Sequence, residues 1–329
     1  MTTSSFLMKK VDEYLEHRRC LGYAARTLKM DANHLRSLAR YVAIHSPSLA
    51  GPLTVDMALR WAAFPTGTTR GYHAHRLSTV RVFSRYLAVF DPRTEIPPHR
   101  LLGPTNRRVP PYIYTRREIA ILIRASLNEK PSRNFKPYST TRNATIIGLL
   151  ACTGMRIGEV LSLEDHDVDL TQNVITVHQS KNLPTRLVPI SGSASRHLQH
   201  YRAIRDRYFE GSGNSDIFIR SQSGGRSDHD VIMRMFRRVR KHIGPWNAAR
   251  RAPRLHDLRH TFACNHLLRA YRKKRNIDNA IHDLSVYLGH VDVAKTYWYL
   301  SAVPALLRLC SKRSEAFGLR LRRRKGGRR

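Results

Sequence analysis

Six side chains between residues 156 and 299 are of types that together can act on a phosphate ester. They are Arg156, Lys181, His256, Arg259, His290 and Tyr299. Each arginine offers two parallel donors to non-bridging phosphate oxygens and does not titrate. A tyrosine phenol can attack phosphorus, a histidine can take up its proton, and a lysine can protonate the leaving oxygen. The set predicts covalent cleavage of a phosphodiester.

The acidic residues favour a route without a metal ion. Glu164, Asp165, Asp167 and Asp169 alternate with other residue types on what the pattern predicts to be a strand or turn, so we interpret them as solvated charges. His256, His260 and Cys264 follow one another at helical spacing, but the sequence places no fourth ligand beside them. We therefore expect neither a metal ion nor another cofactor.

The residues by themselves leave several roles open. Tyr297 rivals Tyr299 as the nucleophile, since two positions apart on a helix they would point to different sides. Either His256 or His290 could contact a phosphate oxygen, and His256 could accept the phenol proton. Lys181 is the only lysine between Lys136 and Lys241, and it lies in a predicted turn between two strands. Only a lysine, not an arginine, can release a proton as a general acid.

Two further residues are predicted to support this set. Arg156 stands at the start of a predicted helix, and Glu159 lies three residues later, within reach of one turn. Glu159 could orient Arg156, or the two could form an ordinary surface pair. His260 follows Arg259 directly and is interpreted as packing against the site or bracing it.

The composition indicates a nucleic-acid partner. The 329-residue chain holds 58 basic and 24 acidic residues, a net charge of +34, and its apolar fraction of 41% suffices for folded cores. So large an excess of positive charge repels itself unless a polyanion offsets it. The four cysteines are scattered, and we find neither a signal peptide nor an apolar run long enough to span a membrane. We expect a cytoplasmic, nucleoid-associated protein.

Apolar periodicity predicts a helical first domain over residues 1–90. Its fourth helix, about Thr69 to Phe90, carries basic residues on the face away from the core, among them Arg70, Arg76 and Arg81. We predict that these contact DNA. Residues 91–111 are rich in proline and are predicted to form a linker, in which Arg107 and Arg108 lie along the phosphate backbone.

A second domain is predicted over residues 112–310, followed by a basic tail over 311–329. It opens with a capping box at Thr115 to Glu118. Helices are predicted on either side of short β-branched runs at 165–170, 174–177 and 187–190, which we expect to pair as a small antiparallel sheet. The last predicted helices cover 255–271, 278–288 and 293–300.

Three motifs in this domain resemble those of the tyrosine recombinases, the phage integrase family. They are Thr153-Gly154-Met155-Arg156-Ile157-Gly158-Glu159, His256-Asp257-Leu258-Arg259-His260-Thr261-Phe262-Ala263, and Leu288-Gly289-His290 with Tyr299 nine residues later. The resemblance covers about residues 115–300 and selects Tyr299 over Tyr297. It implies a mainly α two-domain fold, a helical core-binding (SAM-like) domain followed by an α+β catalytic domain. Lys181 matches the family's hairpin lysine, although it stands in Ser180-Lys181-Asn182 without flanking glycines.

The resemblance also implies a reaction and its partners. Tyr299 would form a 3′-phosphotyrosine and release a 5′-hydroxyl, and a homo-tetramer, possibly with a second recombinase, would join two double-stranded DNA sites. Residues 296–306 resemble transposon-borne members, so the work could be integration, excision or transposition. Residues 302–317 would dock on a neighbouring protomer or on their own domain. Two alternatives remain, a type IB topoisomerase-like enzyme and a catalytically inactive DNA-binding accessory protein.

Overall fold

A computed structural model gives the fold of the chain. It describes residues 3–45, 52–103, 110–129, 138–178, 185–213, 215–244, 252–273, 275–289 and 297. The chain divides into two compact units, Met1–Arg108 and Val109–Arg329. The division falls inside the segment that the sequence predicts to be a linker.

The first unit contains four described helices. These are α1 (Thr3–Cys20), α2 (Ala25–His45), α3 (Val55–Ala63) and α4 (Arg70–Leu87). Thr54 and Thr69 cap α3 and α4 with their side-chain oxygens, which accept from backbone N–H groups of the first turn. The apolar stripes meet in one core that includes Val11, Leu35 and Phe83. The helical first domain is therefore built by burial of these stripes.

Two arginines of α4 are not on the basic outer face where the sequence analysis placed them. Arg76 is 5% exposed, donates to the carbonyl of Trp61 at 2.9 Å and lies 3.8 Å above that indole ring. Arg81 is 8% exposed and donates to the carbonyls of Pro97 and Pro98. Both guanidinium groups thus satisfy buried backbone acceptors, and the expectation of an outward position was wrong.

Of the other predicted DNA-contacting residues, one is exposed and two lie outside the described residues. Arg70 is exposed, although its Nε donates to the carbonyl of Leu102 at 3.2 Å. Arg107 and Arg108 lie outside the described residues. The predicted linker begins by packing on the first unit, because Glu95 donates its backbone N–H to the carbonyl of Leu53 at 2.9 Å.

The second unit combines helices with one small sheet, as predicted. Its described helices are α5 (Arg116–Leu127), α6 (Tyr138–Thr153), α7 (Ile157–Ser162), α8 (Gly192–Tyr208), α9 (His229–Val239), α10 (Asp257–Arg272) and α11 (Ile277–Leu288). Strands β1 (Val168–Asp169), β2 (Val174–Val177) and β3 (Arg186–Pro189) pair antiparallel in that order. Ile175 on β2 faces Val168 on one side and Val188 on the other. The mainly α fold with a small antiparallel sheet is confirmed.

Helix α6 is the centre of this unit and packs against α5, α8 and α10. Its residues Ile146, Ile147 and Leu150 are buried, which agrees with the apolar run that predicts a buried helix. The capping box at Thr115 and Glu118 is present at the start of α5. The predicted helix 293–300 lies outside the described residues, except for Tyr297. Among the described helices, none has the length and apolar character required to cross a membrane.

The acidic residues before β1 are not simply solvated. A 3₁₀ turn covers Asp165–Asp167, and Asp167 is 5% exposed. Asp165 accepts from the buried Arg205 at 2.8 Å, and Glu164 pairs with Arg226 at 2.5 Å. The prediction of free loop charges was wrong for Glu164 and Asp165, which neutralise arginines, and for Asp167, which is buried. Asp169 is exposed, as predicted.

Candidate active site

The site begins at a tight turn between α6 and α7, which glycine makes possible. Gly154 has φ +66°, in the left-handed region that favours glycine. A Cβ atom at this position would lie 2.6 Å from Cδ1 of Phe262 on α10. The turn therefore sits directly on α10 and aims the backbone carbonyl of Gly154 at the next element of the site.

Arg259 on α10 takes up that carbonyl. Its Nη1 donates to Gly154 O at 2.8 Å, and its Nη2 donates to Leu288 O at 2.7 Å, at the end of α11. The residue is 2% exposed. A buried guanidinium costs free energy unless it is hydrogen-bonded, so these two hydrogen bonds favour the arrangement in which Arg259 holds α10, α11 and the turn after α6 together.

Arg156 reaches the same helix end from the other side. Its Nη2 donates to Gly289 O at 3.0 Å, and its Nη1 approaches Leu288 O at 3.5 Å. Gly289 ends α11 in the left-handed conformation, with φ +63°. Arg156 and Arg259 thus share the Leu288 carbonyl, so the two charges lie side by side. Carbonyls at a helix C-terminus carry partial negative charge, which favours cations there.

Glu159 orients two arginines and is not part of an ordinary surface pair. Its side chain is 11% exposed and accepts from Arg156 Nη1 at 2.7 Å and from Arg186 Nη2 at 2.6 Å. It also accepts the backbone N–H of Arg156 at 2.8 Å. Burial alone would raise the pKa of Glu159, but the hydrogen bonds from Arg186 and Arg156 outweigh it and lower the pKa. The carboxylate is therefore charged at pH 7.

Arg186, on β3, is a residue of this site that the sequence analysis missed. Its side chain is 9% exposed, and within the described part of the chain its Nε and Nη1 are buried without a hydrogen-bond partner. The alternation of β3 gives the signal, because Arg186 lies two residues before the buried Val188 and so shares its face. An arginine on the inner face of a strand requires a buried carboxylate, and Glu159 supplies it.

Two histidines adjoin the arginines on α10. His256 is the N-cap residue of α10, and its ring lies 4.7 Å from that of His260, edge to face. Desolvation by the surrounding protein, with the charges of Arg259 and Arg254, lowers the pKa of His256 to about 4 even though part of the ring is open to solvent. Desolvation, with His256 next in importance, lowers the pKa of His260 to about 3. Both imidazoles are neutral at pH 7, so His256 need not lose a proton before it accepts one, and its low pKa makes it a weak base in the absence of a bound phosphate.

Three predicted site residues, Lys181, His290 and Tyr299, lie outside the described residues. The rival nucleophile Tyr297 is described and is 46% exposed. Its hydroxyl donates to Oδ1 of Asp278 at 3.2 Å, and this hydrogen bond raises the pKa of Tyr297. A phenol held by a carboxylate is a poorer nucleophile, because the carboxylate opposes loss of its proton.

Comparison with known proteins gives one family. The model described as the phage integrase family matches residues 125–304. A protein of Sinorhizobium fredii (strain NBRC 101917 / NGR234), named "Putative integrase/recombinase y4rB", is 36% identical over 316 residues, which cover 94% of this chain and 98% of that protein.

Two solved structures share the fold. A XerH site-specific recombinase bound to a palindromic difH substrate, in a post-cleavage complex, has a TM-score of 0.65 at 16% identity and covers 95% of this chain and 85% of that one. A lambda integrase tetramer bound to a Holliday junction has a TM-score of 0.62 at 18% identity and covers 91% of this chain and 77% of that one.

Proposed function

Because the chain belongs to the phage integrase family of tyrosine recombinases, we propose that it is a site-specific DNA recombinase that cleaves and rejoins strands through a 3′-phosphotyrosine. The observation that carries this proposal is the convergence of Arg156 and Arg259 on one helix end, at Leu288 and Gly289. His290 is the next residue in the sequence, and His256 begins the helix that carries Arg259.

The arrangement supports the first chemical step as follows. Tyr299 Oη attacks the scissile phosphorus, its proton passes to neutral His256, and the bond from phosphorus to the 5′-oxygen breaks. Lys181 gives a proton to that oxygen, so a 5′-hydroxyl leaves. The new ester retains the energy of the broken bond, and a second 5′-hydroxyl reverses the step on another strand. No ATP is consumed.

The two arginines differ in what they can offer the phosphate. The side chain of Arg156 is 39% exposed, and a guanidinium has five N–H donors, so Arg156 can bind a phosphate while it holds Gly289. Arg259 lies beneath it, 2% exposed, and acts through its charge in a site of low dielectric. Glu159 and Arg186 fix the position of Arg156 and are positioning residues.

The proposed partners are double-stranded DNA sites and further copies of the chain. The net charge of +34 favours binding to DNA. We propose that the protein binds it in the cytoplasm, at the nucleoid. A lambda integrase with this fold has been captured as a tetramer on a Holliday junction, which supports a tetramer here, with or without a second recombinase. The name of the Sinorhizobium relative, "Putative integrase/recombinase y4rB", supports integration or recombination as the role. We extend the proposal to excision or transposition of a mobile element because residues 296–306 resemble transposon-borne members of the family.

Trapped covalent adducts test the nucleophile. The protein is expressed beside DNA from its host locus, adducts are precipitated with detergent, and sequencing of their ends locates the cleaved site. A duplex nicked next to that site then accumulates adduct, because the short 5′-hydroxyl fragment diffuses away. Tyr299→Phe should abolish the adduct, and the matched control Tyr297→Phe should retain it. Adduct that persists in Tyr299→Phe and is lost in Tyr297→Phe would reverse the assignment.

The same substrates separate the two alternatives. A type IB topoisomerase-like enzyme would relax supercoiled plasmid without forming Holliday junctions between two labelled duplexes. An inactive accessory protein would bind DNA and give no adduct with any tyrosine present. We expect adduct and junction formation together, with a free 5′-hydroxyl on the released strand that polynucleotide kinase can label.

A further inference from the structure

A second cluster of chemically active side chains lies at the start of the sheet, in residues that the proposed reaction does not use. It consists of His166 and Asp167, in the 3₁₀ turn before β1, and His178, immediately after β2. One ligand atom from each residue lies within 4.8 Å of those from the other two. We propose that these three side chains bind a divalent transition-metal ion, with Zn²⁺ as the representative.

The carboxylate of Asp167 is prepared for this role. Its Oδ2 accepts the backbone N–H of Glu164 at 2.9 Å, which fixes the group, and the residue is 5% exposed. Its Oδ1 is buried and, among the described residues, has no hydrogen-bond partner. A buried carboxylate oxygen without a donor costs free energy unless a cation satisfies it. The orphaned atom is therefore the observation that points to a ligand.

The imidazoles face that same oxygen. His178 Nε2 lies 2.9 Å and His166 Nε2 lies 3.5 Å from Asp167 Oδ1. Neither contact counts as a hydrogen bond, since among the described residues Asp167 Oδ1 has no hydrogen-bond partner. Two ligand atoms at tetrahedral positions on one zinc ion, with bonds of about 2.0–2.2 Å, are separated by about 3.3–3.6 Å. The 3.5 Å separation matches this distance, and the 2.9 Å separation reaches it when the exposed His178 ring moves outward by about 0.5 Å.

The ligand types favour a transition-metal ion, and the exposed histidines leave the site open to solvent. His178 Nδ1 lies 3.4 Å from Thr185 Oγ1, a contact that leaves Nε2 free for a metal. Imidazole ligands favour zinc, nickel and copper over calcium and magnesium, which prefer oxygen. The side chains of His166 and His178 are 67% and 59% exposed, so both rings can rotate and an ion can enter. Water completes the coordination.

Calorimetric titration of the full-length chain with ZnCl2 tests the site, with no DNA, chelator or histidine tag present. We expect one tight equivalent in the natural protein, and a loss of more than about 100-fold in affinity in both His178→Ala and Asp167→Asn, since removal of an outer-shell partner alone costs about 10–100-fold. His229→Ala is the matched control, because His229 also lies beside a carboxylate, 3.2 Å from Asp230. It should leave the titration unchanged.

Two readouts keep the outcome interpretable. The exposed His178 can be removed without opening the core, so circular dichroism of that variant should match the natural protein. Co²⁺ bound at the site should give visible d–d absorption that disappears in His178→Ala and remains in His229→Ala. Absence of binding in the natural protein, or a tight equivalent that survives both ligand changes, would overturn the proposal. Neither result depends on strand cleavage, so it leaves the proposed function untouched.

Discussion

Replacement of Glu159 by glutamine tests whether this carboxylate organises the arginine cluster. The amide is close to isosteric but carries no charge and turns two N–H donors toward groups that are themselves donors. Three hydrogen bonds depend on the carboxylate, two from Arg156 and one from Arg186. The amide oxygen can still accept, so the variant should lose one or two of the three hydrogen bonds, together with the negative charge that pairs with both arginines, while the apolar packing around the site stays the same.

The exposures set the size of the effect. Removal of one partner from a buried ion pair costs about 3–5 kcal/mol, since the other charge is left uncompensated. Arg186 is 9% exposed and cannot hydrate, whereas Arg156 is 39% exposed and can. We therefore expect about 3 kcal/mol, at the lower end of that range. For a unit of this size, that corresponds to a fall in Tm of about 6–12 °C.

Differential scanning calorimetry at pH 7 measures this change. Asp206→Asn is the matched control, because Asp206 also accepts from a buried arginine, Arg205 at 2.7 Å, but is itself 54% exposed. Water can replace its contact, so we expect less than about 1 kcal/mol. If Glu159→Gln melts within 2 °C of Asp206→Asn, the carboxylate does not organise the cluster.

The pH dependence gives a second check on the same variant. The pKa of Glu159 is lowered in the folded state from its ordinary value of 4.5, so the folded chain holds this proton less tightly than the unfolded chain. Its stabilisation is fully present above pH 4.5 and is lost as the pH falls through the lower folded pKa. The difference in Tm between the natural protein and Glu159→Gln should shrink below pH 4.5. A gap that stays constant there would contradict the reasoning.

Three further outcomes follow from described contacts. His256 has a folded pKa of about 4, so between pH 6.5 and 4 the unfolded chain binds more protons than the folded chain, and stability falls as the pH is lowered. His256→Gln should reduce this loss of Tm at low pH in thermal melts, and an unchanged slope of Tm against pH would contradict the reasoning. Gly154→Ala places a Cβ 2.6 Å from a ring carbon and should cost about 1–3 kcal/mol more than Gly211→Ala, a left-handed glycine with open space around it, when both are measured by urea unfolding. Arg70→Ala should reduce the slope of log K against log salt for DNA binding by about 0.9 at unchanged Tm, whereas Arg76→Leu should lower Tm and leave the slope alone.

The sequence predicted local elements well where apolar spacing decides them. The burial of Ile146, Ile147 and Leu150 on α6 follows from a continuous apolar run, and the cap at Thr115 follows from a pattern four residues long. The pairing of the strands was accessible for the same reason, since β-branched runs between polar turns leave few alternatives.

Positions that depend on contacts between distant segments were less accessible. Arg76 and Arg81 fit a basic helix face by spacing, yet buried carbonyls of Trp61 and of two prolines hold them inside. The alternation of β3 places Arg186 on the buried face, but its carboxylate partner Glu159 lies 27 residues away in sequence and is identified only once β3 is packed. Charge patterns report where cations are, whereas burial of a cation depends on which acceptors the fold brings to it.

The arginines of the site are held by main-chain oxygens at Gly154, Leu288 and Gly289. Every amino acid supplies such an oxygen, so substitution at position 288 can alter a side chain without removing the acceptor. We therefore expect volume-conserving apolar substitutions of the buried Leu288 to keep the site, provided that α11 stays docked and Gly154 and Gly289 keep their backbone conformation. The geometry of the arginine site therefore depends on the backbone path of the chain more than on which side chains surround it.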